Sequence, residues 1–156
     1  MSATDLPRVV LRPRKAQPFF YRHPWVFESA VARIEGNVDV GAEAVLVSDR
    51  GDLIGRGLLN PASKIRLRLY TWNTEQVLST EFFQQRIDRA LSGREYLDWS
   101  GDRDSAMRLV ASEGDGLSGL TVDRFGEWLV VQLTSAALAV HRQELLDHLQ
   151  SRLRPR

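Results

Sequence analysis

Residues 65–72, Ile-Arg-Leu-Arg-Leu-Tyr-Thr-Trp, constrain the fold more than any other segment. Ile65, Leu67 and Leu69 alternate with Arg66, Arg68 and Tyr70. Such a period of two fits a strand with one buried face and excludes a helix, whose apolar positions recur every three to four residues. Shorter apolar runs precede it. Val9 to Leu11 is one, and Ala30 to Glu35, ending at Gly36-Asn37, is another. Glu43 to Ser48 and Leu53 to Leu59 flank Arg50-Gly51-Asp52, which reads as a hairpin connection. Five or so short strands with turn signals between them predict a small closed or nearly closed sheet up to about residue 75. Gly55 and Gly57 permit close approach of either a neighbouring strand or a ligand, and sheet packing is the simpler reading.

Beyond residue 75 the pattern changes to α+β. A helix is expected from Ser79-Thr80, with Glu81 in its first turn and Phe83, Ile87, Ala90 and Leu91 on one face. Gly93 or Trp99-Ser100-Gly101 ends it. Strands at Ala106 to Ala111, Leu120 to Arg124 and Trp128 to Leu133 form a meander. Ser135 then caps one final helix bearing Leu138, Leu145, Leu146, Leu149 and Leu153, which Pro155 stops.

The 156 residues include no cysteine, which removes disulfides, thiolate metal sites and thiol nucleophiles from this chain. No apolar run approaches the roughly 20 residues that span a bilayer, so no membrane partner and a cytoplasmic location are expected. The formal charge is +1 and argues for no particular ligand. Its distribution is more telling: residues 1–75 carry 11 basic and 8 acidic side chains, and the remainder 10 and 12. Arg8, Arg12, Arg14, Lys15 and Arg22 are opposed only by Asp5 within the first 27 residues, and Phe19, Phe20, Tyr21, Trp25 and Phe27 lie among or just after them. Arginine forks suit phosphate and exposed rings suit unpaired bases. Spacing alone leaves open the alternative that the rings are core and the arginines a solvated face.

Other constellations carry less. Gly114-Asp115-Gly116-Leu117-Ser118-Gly119 matches a dinucleotide-binding glycine pattern, but a strand and turn follow it where a phosphate-capping helix is needed. A turn requiring positive φ is the plainer reading. Glu113, Asp115 and Asp123 lack the ligand alternation of a calcium loop and read as turn chemistry. His141 and His148, seven residues apart on a helix, are too distant to share a metal and read as solvated surface groups. No metal ligand set is proposed.

Four blocks, Arg22-His23-Pro24-Trp25-Val26-Phe27, Asn60 through Arg68, Arg108 through Leu117, and Gly119 through Gly126, resemble the N-terminal part of the RlmI-type ribosomal RNA large subunit methyltransferases, in the same order and spacing. The resemblance implies a PUA-like β pseudobarrel in residues 1–75 and a small mixed α/β domain (helix, β-meander, helix) in residues 76–156. It implies ribosomal RNA as partner and leaves open a homodimer. S-adenosylmethionine is implied as cofactor for the full-length family, on a Rossmann-like domain not expected within these residues, so no cofactor is expected here. The family's cytosine chemistry also uses a cysteine nucleophile, and this chain alone is expected not to methylate. Pro18 interrupts the segment that would carry the barrel's short first helix. The RNA contacts expected are Arg12, Arg14, Lys15 and Arg22 on phosphates, with Arg66 or Arg68 extending the track and His23 or Trp25 shaping the groove. The alternative is a structural or protein-interaction module that packs on a separate catalytic partner.

Overall fold

The computed structural model describes residues 5–94 and 106–155. The chain divides into two compact units, Met1–Leu78 and Ser79–Arg156. In the first, six strands alternate with tight turns: β1 (Arg8–Leu11), β2 (Trp25–Phe27), β3 (Val31–Glu35), β4 (Glu43–Val47), β5 (Leu53–Leu59) and β6 (Ile65–Thr71), with a single-turn helix α1 (Gln17–Phe20). They form one sheet in the order β2-β6-β5-β4-β1-β3. The edge strands β2 and β3 are consecutive in the chain, joined only by a 3-10 turn at Glu28–Ala30. A flat six-stranded sheet would hold its edges more than 20 Å apart at about 4.8 Å per strand. Three residues reach at most ~11 Å. The sheet must therefore curl until its edges converge, and a register slip in each of its four antiparallel pairings supplies the bending. Inside lie Val9, Leu11, Val26, Val31, Ala44, Leu46, Ile54, Leu59, Leu67 and Leu69, joined by Ala16 and Phe19 from the α1 segment.

The glycine pair on β5 serves this curl. A Cβ on Gly57 would collide with the backbone of Arg68 and Leu69, and one on Gly55 would lie 2.8 Å from the Thr71 carbonyl oxygen. Pro18 does not interrupt α1. It occupies the first turn, where its missing N–H has no helical partner to lose. The alternation of β6 holds for its interior face, but Tyr70 on the other side is also buried, at 1% exposure. That outer face is covered near β4, where Leu6 packs on Val45 and Val47.

Sequence reasoning did not foresee a buried ion pair on the sheet. Arg56 is fully buried, and its Nε donates to the Glu43 carboxylate. Arg56 Nη1 also donates to the Thr74 carbonyl at 3.2 Å, and Glu43 accepts the Leu78 N–H at 2.6 Å. These bonds hold residues 74–78 to the first unit.

The second unit contains α2 (Thr80–Ser92), the meander β7 (Ala106–Ala111), β8 (Leu120–Phe125) and β9 (Trp128–Leu133), and helices α3 (Ala136–Ala139) and α4 (Arg142–Leu153). Ser79 caps α2 by accepting the Phe82 N–H, and the helix stops at Gly93. The alternative stop at Trp99-Ser100-Gly101 lies outside the described residues. The expected single C-terminal helix is broken at Val140-His141. The break lets His141 pack on the Phe83 ring, centroids 5.1 Å apart, while Glu144 accepts a hydrogen bond from Thr80 at 2.8 Å. His148 is not a solvated group either. It is 14% exposed and, with Arg152, bonds Asp88 of α2, tying α4 to α2.

Two outcomes follow. Gly57→Ala should cost about 3 kcal/mol through backbone collision, read as a large drop in melting temperature, whereas Gly93→Ala, with only ordinary contacts at its site, should change it little. Hydrogen bonds from Arg108 hold the Asp123 carboxyl below its usual range, and bonds from Thr80 and His141 do the same for Glu144. Both contributions are present above the unfolded carboxylate range and lost as pH falls through the lower folded values. Melting temperature should thus fall below about pH 4, and Arg108→Gln should make that fall shallower. Parallel curves for the two proteins would contradict the assignment.

Candidate nucleic-acid interface

Strand β2 sets the geometry of the ring-bearing segment. Residues 23, 25 and 27 are spaced by two, so an extended backbone places them on one side. The result is a ladder of edge-to-face rings: Phe19 to His23 at 6.3 Å, His23 to Trp25 at 6.2 Å, and Trp25 to Phe27 at 6.3 Å between centroids. Its far end is open, with Phe27 42% exposed, and its near end is anchored by the buried Phe19. The Trp72 indole N–H donates to the Phe19 carbonyl at 2.7 Å, fixing α1 to β6 and its exit. His23 Nδ1 accepts the Trp25 backbone N–H at 3.2 Å, which sets the imidazole against the strand.

The antiparallel pairing of β2 with β6 places Trp25 opposite Arg68. The Arg68 guanidinium lies over the Trp25 ring, 5.5 Å from its centroid. A guanidinium stacked on a ring face is held in a fixed plane.

The other expected residues divide. Arg14, Lys15 and Arg22 are exposed and flank α1 at its two ends. Arg14 and Arg22 both adopt positive φ, 65° and 66°, so the chain turns sharply at each. Arg12 is exposed but tethered, its Nε donating to the Val31 carbonyl at 2.9 Å. Arg66 departs from the expected track. Its guanidinium donates to the Pro61 carbonyl, to the Ser63 carbonyl at 2.9 Å and to Glu28 at 2.9 Å. Those bonds make it a clamp on the loop between β5 and β6, and the carboxylate beside it opposes an anion. Sequence alternation put Arg66 on the same face as Arg68 but gave no sign of Glu28, 38 residues away.

One feature is not legible in the sequence, and one question it leaves open is answered. A cavity of about 290 Å³ beside α1 is lined by Arg14, Gln17 and Phe20 together with Arg50, Asp49 and Asp52 of the β4–β5 turn. Arg50 had been read only as a turn residue. Phe20 and Tyr21 are 54% and 79% exposed, so part of the aromatic run is surface and part is core. The glycine-rich loop at 114–119 is folded on itself: Ser118 donates to Glu113, Ser112 accepts the Gly119 N–H, and Arg94 grips Asp115. It leads into β8 with no helix behind it. Among the described residues no group of three or more histidines and carboxylates is placed to hold a metal, and no helix is long and apolar enough to cross a membrane.

Residues 9–72 match the PUA-like domain family. The chain is 39% identical over 150 residues to the ribosomal RNA large subunit methyltransferase I of Salmonella schwarzengrund, covering 95% of this chain and 36% of that protein. It is 40% identical over 144 residues to the Escherichia coli K12 protein of the same name, covering 92% of this chain and 36% of the relative. The chain thus spans little more than a third of the relatives it matches. Among solved structures, a candidate SAM-dependent methyltransferase from Streptococcus mutans superposes with a TM-score of 0.76 at 15% identity, over 92% of this chain and 37% of that one. A candidate methyltransferase complexed with SAH gives 0.75 at 16% identity, over the same shares. These last two bear on fold alone.

The contrasting environments of Arg66 and the α1 cations give opposite expectations for stability. Arg66→Gln should lower stability by ~1–2 kcal/mol through loss of charge-assisted bonds, while Arg14→Glu with Lys15→Glu should leave the melting temperature nearly unchanged. Calorimetric melts of both variants check this.

Proposed function

Since the chain corresponds to the N-terminal part of the RlmI-type ribosomal RNA large subunit methyltransferases, we propose that it is the RNA-gripping portion of such an enzyme, acting on ribosomal RNA in the cytoplasm. The observation that carries this reading is the Trp25–Arg68 pair, set in a ladder of rings beside the exposed cations of the α1 segment. Arg14, Lys15 and Arg22 contact phosphates, with Arg12 held at their edge by Val31. Trp25 and His23 offer ring surfaces on which a base or sugar packs, and Arg68 adds positive charge beside them. Recognition is by charge and shape, and base identity is read elsewhere. The methyl transfer belongs to the remainder of the relatives, and S-adenosylmethionine supplies the methyl group there. This chain's part is to bind and orient the strand.

A second reading, a module that packs on a catalytic partner or on a second copy, draws on one observation. Phe125, Trp128 and Val130 share the outer face of the meander and are 49%, 65% and 43% exposed. An apolar cluster of that kind marks contact surfaces in soluble proteins. Sedimentation with and without RNA separates the readings: RNA-dependent mass supports the first, and self-association alone the second.

Titration of structured ribosomal RNA fragments across salt concentration tests the first reading directly. Engagement of about four to six phosphates gives a log–log slope of roughly −3 to −5. Arg14→Glu with Lys15→Glu should weaken binding about tenfold or more and make the slope shallower by about two. Absence of binding at low salt, or binding indifferent to salt, would overturn the proposal.

A further inference from the structure

The reading above uses Arg14 and leaves the rest of the cavity beside α1 unassigned. Its walls come from two stretches of the first unit: Arg14, Gln17 and Phe20 on the α1 segment, and Asp49, Arg50 and Asp52 on the β4–β5 turn. Local backbone chemistry presents them. Arg14 adopts φ 65° and Gly51 φ 93°, so the chain turns sharply on both sides of the cavity. Ser48 Oγ donates to Asp52 at 2.8 Å and accepts the N–H groups of Arg50 and Asp52 at 3.2 and 3.0 Å. Those bonds fix the turn and occupy Asp52.

Four other polar groups at the cavity are unused. Among the described residues, the side chains of Arg14, Gln17, Asp49 and Arg50 make no hydrogen bond or ion pair. Turn chemistry accounts for Ser48 and Asp52 but not for these. Their mixture narrows the ligand. A bare phosphate would face the Asp49 carboxylate, and a metal ion or polyamine would face two guanidinium groups. The cavity suits a molecule that carries donors and acceptors at once. Phe20 narrows it further, because its ring stands 54% exposed at the cavity wall. A planar partner stacked there takes apolar surface out of water. A planar group with N–H donors on one edge and acceptors on another is a nucleobase. The volume of about 290 Å³ is near the lower end of small-molecule sites and suits one nucleotide, unpaired.

We infer that this cavity takes one unpaired guanine nucleotide of an RNA strand. The Asp49 carboxylate has two free oxygens, and guanine presents two adjacent donors to such a pair, its N1–H and its 2-amino group. A guanidinium fork matches guanine O6 and N7. Arg50 supplies that fork, Arg14 stays on the phosphate, and Phe20 carries the plane of the base. Adenine and cytosine offer an amino group without a neighbouring N–H, and uracil offers one N–H without an amino group. Base identity, which the ring ladder does not read, is thus read at the other end of α1. Assigning the nucleotide to a strand rests on the RNA reading proposed above, whereas the match between cavity and guanine does not.

Two short single-stranded RNAs of equal length, one all uridine and one with a single central guanosine, test it by fluorescence anisotropy at low ionic strength. The protein should bind the guanosine strand about fivefold or more tightly than the other. Asp49→Asn is the deciding variant. Removing a carboxylate strengthens any purely electrostatic grip on RNA, whereas here it should abolish the guanosine preference and leave the uridine strand bound as well as before or better. Phe20→Ala should reduce the preference too. Both residues are exposed, so both variants should keep the parent melting temperature. Equal binding of the two strands by the parent protein, or an undiminished preference in Asp49→Asn, would overturn the inference and leave the proposed function intact. Binding of neither strand would sink the proposed function. Guanosine monophosphate then decides for the cavity alone: saturable binding that is about fivefold or more weaker in Asp49→Asn supports it, and no binding overturns it.

Discussion

Closure of the first sheet is the constraint from which the rest of that unit follows. Its two edge strands, β2 and β3, are neighbours in the chain and must also be the two ends of a six-stranded order. With only Glu28–Ala30 to join them, curling is the geometry that three residues allow. Curling turns Val9, Leu46, Leu67 and their partners into a shared interior, and it demands residues without side chains where β5 bears on β6. Gly57 meets that demand. The pairing of β2 with β6 at one end of that order sets the register that stacks Arg68 on Trp25.

The cations serve contrasting roles. Arg56, Arg66 and Arg94 are spent on structure, each satisfying carboxylates and carbonyls that would otherwise stand unpaired. A buried pair such as Arg56–Glu43 contributes little net stability, because desolvation offsets most of its attraction. What it adds is placement: it fastens residues 74–78 and so defines where the first unit ends. Arg14, Lys15 and Arg22 have the opposite character, exposed around sharply turned backbone. A count of arginines could not have sorted these roles, since all are the same residue type in a chain with net charge near zero.

The sequence was most legible where a pattern is local. Alternation in residues 65–72, the Ser79 cap and the meander of residues 106–133 depend on neighbours within a few positions, and each stands where expected. Legibility failed where the deciding partner is remote. The final helix was expected to be continuous because its leucine spacing is regular, but packing against Phe83 and Thr80 breaks it at Val140-His141. His148 was read as solvated because its partner, Asp88, lies 60 residues earlier. The bond of Arg66 to Glu28 spans 38 residues, and no local pattern announces it.

The amino-acid sequence alone therefore determined most of the strands and helix α2, the apolar interior, the basic and aromatic concentration near the amino end, and the kinship with the N-terminal part of a methyltransferase family. These rest on periodicity, composition and local backbone chemistry, which act over a few residues. Tertiary structure decided which arginines pair and which stay exposed, which rings are core and which are surface, and that Arg50 shares a cavity with the α1 segment. Those outcomes depend on strand register and helix packing, and contacts between distant residues are fixed only when the whole chain has closed upon itself.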